Sequence, residues 1–206
     1  MKNIICYGDS NTFGYNPKDG SRYDENTRWT CLLNKKLGQN YEVINEGMCD
    51  RTGFVNNPKG LVFSAIQHFP EYISKFKNID ILLLWIGTND LQFQYNLSVN
   101  EIEAGLENLV KLARTKAVKI ILVPPVILSE KILEGYFSCQ FDETSITKSK
   151  EIGRIYKRIS DIYHCEYFDV NKFVVPSDID GLHYDELSHK IIASKLDYFI
   201  RNSFSQ

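Results

Sequence analysis

At 206 residues the chain fits one domain and is short for two, so residues 1–206 are read as a single domain. Its 24 basic and 26 acidic residues leave a formal charge of -2, which lacks the basic excess of a broad nucleic-acid footprint. No run of like charge suggests a polybasic anchor, and no apolar run is long enough to span a bilayer. The first strand begins almost at Met1, with no leader-like segment ahead of it. Cys6, Cys31, Cys49, Cys139 and Cys165 are odd in number and scattered. Together these features predict a cytoplasmic protein with reduced thiols.

Taken in chain order, the first apolar run covers residues 3–7 and leads directly into Gly8-Asp9-Ser10-Asn11. A helical period over 27–37 ends at Gly38, a glycine placed to terminate it. Residues 41–45 read as a second strand. The stretch 61–76 is helix-like, with Pro70 expected to kink or divide it. The run 79–86 is apolar on both faces, the pattern of a central parallel strand covered on each side. It ends in Gly87-Thr88-Asn89-Asp90. Ser98-Val99-Asn100-Glu101 is a capping-box sequence opening a helix to about Arg114, with Ile102, Leu106, Leu109 and Leu112 on one stripe.

A fourth strand is expected over 118–123. It is followed by a long connection from Pro124 to Asp142 containing Leu133, Tyr136, Phe137 and Phe141, which suits a lid, a binding loop or a subunit contact. A helix over 145–163 and a fifth strand over 166–170 follow. Asp180-Gly181-Leu182-His183 then precedes a last helix over 186–200, capped by Asp185. Strand and helix alternate throughout, so right-handed crossovers predict an open, doubly wound parallel sheet. In such a sheet ligands bind beyond the carboxyl ends of the strands, where Ser10, Asn89 and His183 all fall.

A serine hydroxyl is a poor nucleophile near neutral pH. It needs an imidazole to take its proton and a carboxylate to hold that imidazole in the right tautomer. Ser10 is the expected nucleophile, His183 the general base and Asp180 the orienting carboxylate. His68, His164 and His189 fall in helical stretches and read as surface or core, Asp178 as a loop charge. The Asn89 side-chain amide can donate to a developing oxyanion. Cys49 sits near this site, where a second nucleophile is not expected.

Gly8-Asp9-Ser10, a block around 45–51, Gly87-Thr88-Asn89-Asp90 and Asp180-x-x-His183 together resemble the SGNH hydrolases, the GDSL esterases and lipases. The wider context is similar to their arylesterase/acyltransferase branch: residues 6–15, Arg28-Trp29, Val43-Ile44-Asn45-Glu46-Gly47 and Arg51-Thr52. The resemblance implies a flavodoxin-like three-layer α/β/α sandwich with a five-stranded parallel sheet. It also implies a serine esterase without cofactor or metal, acting on small-molecule esters by hydrolysis or acyl transfer.

By the same resemblance the oxyanion donors are the Ser10 N–H, the Asn89 amide and a backbone N–H of the second block. That last register falls on Asp50, where the family usually has a small residue. Asp50 is expected to face away, toward Arg51, with Gly47 as the fallback donor. Asp9, Asn45 and Asp90 fit supporting roles. Phe13, Tyr15, Trp29 and Trp85 could line an acyl or aryl pocket, though core is the commoner use of such rings. A homo-oligomer is left open, with no membrane or nucleic-acid partner expected. Carbohydrate acetylesterase and lysophospholipase activities remain alternatives within the family. Outside it, Gly8–Thr12 also resembles the phosphate loop of a flavodoxin-like flavin module.

Overall fold

The computed structural model describes residues 1–56 and 63–204. Its sheet has five parallel strands: β1 (Lys2–Gly8), β2 (Tyr41–Gly47), β3 (Ile79–Trp85), β4 (Ala117–Leu122) and β5 (Glu166–Tyr167). They lie in the order β2-β1-β3-β4-β5. The helices are α1 (Ser10–Phe13), α2 (Trp29–Leu37), α3 (Ala65–Ser74), α4 (Val99–Ala113), α5 (Glu143–Tyr163) and α6 (Glu186–Phe204). α2 packs on α6, and α4 packs on α3 and α5, so the sheet is covered on both faces in a doubly wound α/β/α sandwich. β3 explains why both covers are needed: Ile81, Leu82, Leu83, Leu84 and Trp85 are all buried, alternating to opposite faces.

Several boundaries differ from the sequence expectation for local reasons. α2 begins at Trp29 rather than at residue 27, and Arg28 gives it no side-chain cap. The acceptor comes from α6 instead, where His189 Nδ1 receives the Trp29 N–H at 3.2 Å. Pro70 does not divide α3, which is continuous over Ala65–Ser74; residues 61 and 62 of the expected helix lie outside the described residues. Ala65, Phe69 and Ile73 are buried, and that apolar face offsets the hydrogen bond Pro70 cannot make. The capping box at Ser98 and Glu101 forms. A second one, between Asp142 and Ser145, starts α5 two residues early.

The fifth strand is shorter than 166–170. Phe168 N–H still bonds Leu122 O, but Asp169 then accepts the Asn171 N–H and turns the chain into a 3₁₀ turn. The long connection after β4 is packed, not open. It holds 3₁₀ turns at Glu130–Leu133 and Tyr136–Cys139, buries Ile132 and Phe141, and donates the Ser129 N–H to Gly181 O at 3.1 Å.

Candidate active site

β1 ends at Gly8, and Asp9 turns the chain into α1 by accepting the Asn11 N–H on its carboxylate at 3.0 Å. Ser10 is the first residue of that helix, 7% exposed at the carboxyl end of the sheet. Gly47 faces Gly8 in register on β2. A Cβ at Gly47 would lie 2.0 Å from Phe13 N, so only glycine lets α1 seat against the end of β2. Asn45, two residues earlier, donates to Thr12 O at 2.7 Å and to Thr30 Oγ1 at 2.8 Å, tying the serine turn to β2 and α2.

His183 reaches this turn from the coil before α6. Its Nε2 lies 2.9 Å from Ser10 Oγ and its Nδ1 2.6 Å from Asp180 Oδ2. The other Asp180 oxygen accepts the N–H groups of Leu182 and His183, each at 2.9 Å, so the carboxylate is fixed by its own turn. Burial opposes ionisation of Asp180. The His183 hydrogen bond and charge, with those backbone N–H groups, win and hold its carboxyl below the usual value. Asn11 spans the two turns, donating from Nδ2 to Leu182 O at 3.3 Å.

Asn89 follows β3, the strand beside β1. Its Nδ2 donates to Arg51 O at 3.0 Å and its Oδ1 accepts from Gln92 Nε2 at 3.0 Å, which fixes the amide plane. Asp90 accepts the N–H groups of Gly53 and Phe54, clamping the second block to the β3 loop. Burial pushes the Asp90 carboxyl up to about 6 against those bonds.

Asp50 is exposed, with φ 59° in the left-handed region that Asp tolerates better than most residues. It does not pair with Arg51, contrary to expectation. The Arg51 guanidinium is buried, donating to the carbonyls of Gly8 and Glu46 and lying 4.1 Å over the Tyr7 ring. Gly47, the fallback donor, already gives its N–H to Asn45 Oδ1 at 3.0 Å. Neither Ser10 nor Asp50 gives its backbone N–H to a protein acceptor among the described residues.

The aromatic candidates divide. Trp29 and Trp85 are wholly buried core, and Phe13 is half-buried beneath the Arg22 guanidinium. Tyr15 instead stacks on the His183 ring, centroids 4.1 Å apart and planes 30° from parallel. Phe137, from the long connection, comes within 5.4 Å of the same ring. That contact was missed because nothing local in a connecting segment says which strand end it will cross. Burial, then the Asp50 and Asp9 charges, pushes the Cys49 thiol up to about 11, so near neutral pH it is protonated and a poor nucleophile.

A concavity of about 630 Å³ elsewhere, along α5 and lined by Lys150, Arg154 and Lys172 among others, shares no residue with this cluster.

A serine, an imidazole and a carboxylate in hydrogen-bond series at the strand ends of a doubly wound sheet match the constellation that serine acyl-transfer enzymes use. Residues 6–191 match the model of the GDSL-like lipase/acylhydrolase family, and the chain belongs to that family. The aryl esterase of M. smegmatis has a similar structure, with 26% identity over 98% of this chain and 99% of that one, TM-score 0.89. A carbohydrate acetylesterase from Sinorhizobium meliloti is comparable, with 26% identity over 99% and 100%, TM-score 0.90. No curated protein matches the chain. The family and these esterase neighbours make it a carboxylic ester hydrolase. Among the described residues no helix is long and apolar enough to cross a membrane.

Proposed function

We propose that this hydrolase cleaves small or short-chain carboxylic esters through an acyl-Ser10 intermediate. The observation that carries the reading is the unbroken series Ser10 Oγ, His183 Nε2, His183 Nδ1 and Asp180 Oδ2, with steps of 2.9 and 2.6 Å across the ring. In the resting state Nδ1–H donates to Asp180 and Nε2 accepts the Ser10 proton. As Oγ bonds to the ester carbon, that proton passes to Nε2 and the carbonyl oxygen takes the negative charge. The tetrahedral intermediate collapses by breaking the bond to the alcohol oxygen, which receives the proton from His183. Water, or another alcohol, repeats the sequence on the acyl-enzyme and restores Ser10.

The oxyanion is held by the Ser10 N–H, the second N–H of the Asn89 amide and the Asp50 N–H. Asp50 is favoured over Gly47 because the Gly47 N–H is spent on Asn45. Both proposed backbone donors are free of protein acceptors among the described residues. Confinement favours a small acyl group: Ser10 and His183 are buried, and Tyr15 and Phe137 crowd the imidazole. The neighbour that is a carbohydrate acetylesterase supports a small acyl group.

The test is hydrolysis of p-nitrophenyl esters from acetate to octanoate by the parent and by Ser10→Ala, which removes only a hydroxyl. Turnover that falls with chain length and vanishes in the variant is expected, with an unchanged Tm. Undiminished turnover in Ser10→Ala would falsify the mechanism.

A further inference from the structure

The His183 imidazole gains a positive charge midway through the proposed reaction. Two aromatic rings lie against it that the hydrolytic sequence itself does not require. Tyr15 stacks on its face at 4.1 Å and 30°, and Phe137 approaches at 5.4 Å and 57°. An aromatic face carries the negative lobe of the ring quadrupole and attracts a cation placed over it.

Tyr15 is held where it is. Gly14 ends α1 at φ 91°, a left-handed turn that folds the next residue back over the serine turn. The Tyr15 N–H then bonds Ser10 O at 3.1 Å, and the residue bridges antiparallel to Arg22. Burial, then the nearby Asp180 charge, pushes the Tyr15 phenol up, so the ring facing His183 is neutral near neutral pH.

We propose that Tyr15 is a positioning residue for the general base, its ring face bracing the His183 imidazole and stabilising the imidazolium formed as Ser10 gives up its proton. The inference rests on the triad reading for its catalytic meaning, but the stacking acts on His183 whether or not an ester is present. Phe137 assists from the other segment, its ring 6.4 Å from that of Tyr15. The titratable groups facing His183 are Asp180 on its own turn, Asp9 beside Ser10 on the nucleophile turn, and His189 from α6. His189 is kept neutral by burial, and substitution at residue 15 removes none of these groups, with Tyr15→Phe isolating the loss of the hydroxyl near Asp180. A change at residue 15 therefore alters the ring face and leaves the charges in place.

The experiment is an NMR titration of the His183 ring proton in the parent, Tyr15→Phe and Tyr15→Leu, its signal assigned by loss in His183→Gln. Tyr15→Phe keeps the ring face and is expected to titrate like the parent. Tyr15→Leu removes it, and the midpoint is expected to fall by about 0.4 to 1.5 units, the pH equivalent of a cation–π contact. The acid limb of kcat/KM should move the same way, with kcat falling several-fold and KM nearly constant.

A Leu variant that titrates like the parent, or a Phe variant shifted as far as Leu, overturns the proposal. Should Tyr15→Leu fail to fold, a fluorinated phenylalanine at position 15 decides: it keeps the shape and drains the ring face, so an unmoved midpoint there is equally fatal. The titration needs no turnover. A shifted midpoint in a protein that hydrolyses no ester would sink the triad reading and leave the ring contact standing.

Discussion

Asn89 carries two N–H bonds on its side chain, and the fold has committed one of them. Arg51 O takes the first, while Gln92 holds the amide oxygen, so the remaining N–H is aimed before any substrate arrives. A donor fixed in advance costs no reorganisation when charge develops on the carbonyl oxygen. Asn89→Ala is therefore expected to lower kcat by roughly 100- to 1,000-fold, corresponding to about 2.7–4 kcal/mol, with a smaller change in KM. Steady-state kinetics on p-nitrophenyl acetate checks this, and a variant in which KM alone moves would make Asn89 a binding residue. Asn89 was legible from Gly87-Thr88-Asn89-Asp90 at a strand end. Its two anchors were not. One is a backbone carbonyl, which every residue has. The other, Gln92, points back only because the chain makes a 3₁₀ turn at Asn89–Leu91. Asp50 lost its expected partner for a similar reason: Arg51 finds carbonyls and the Tyr7 ring inside the protein.

α6 and α2 are joined by a side chain that sequence places only as a helical histidine. His189 is buried, accepts the Trp29 N–H, and meets Tyr23 edge to face at 5.1 Å. Trp29 in turn donates its indole N–H to Asn11 O at 3.0 Å, so this packing reaches the residue after Ser10. Burial pulls the His189 imidazole down to about 4 from 6.5, although Asp185 opposes it. The native state thus stays unprotonated between those values while the unfolded chain takes up a proton. Stability is lost as pH falls through that window, by roughly 3 kcal/mol in total. Asp90 acts with the opposite sign: its raised carboxyl keeps a proton in the native state between about 6 and 3.8, adding stability as pH falls. Urea melts of the parent and His189→Gln at pH 7 and 4.5 separate the two, since Asp90 is common to both. The variant should start less stable and lose less on acidification; equal losses would mean His189 is protonated inside the folded protein. The elements themselves were largely legible, because 3.6-residue and all-apolar patterns depend on near neighbours. The ends of α2 and β5 were not, because a histidine 160 residues away caps one and an Asp169 turn stops the other.

Across the whole molecule, the order β2-β1-β3 sends the chain left from β1 and right from β3, which opens a crevice between their carboxyl ends. Ser10 and Asn89 stand on its two lips, on adjacent strands paired Gly8 to Trp85. Doubly wound topology was legible from strand–helix alternation and from the all-apolar β3. The third partner is supported differently. His183 comes from coil, held to the rest by Asn11 on Leu182 O, by Ser129 on Gly181 O and by its ring contacts with Ser10, Tyr15 and Phe137, while among the described residues the N–H groups of Leu182 and His183 bond only within the turn, to Asp180. Ser10 and Asn89, the proposed nucleophile and oxyanion donor, therefore sit directly after the central strands β1 and β3, and His183, the proposed base, rides on a locally closed turn. Such turns open at lower free energy than central strands. Native-state hydrogen exchange with added urea should show this division. The amides of Ile4–Tyr7 and Leu82–Trp85 should exchange only through global unfolding, with full denaturant dependence. Those of Leu182 and His183 should exchange through a smaller, denaturant-independent opening. A common slope for all of them would place the His183 turn inside the cooperative core, and Asp180 would then orient a base the whole sheet already holds.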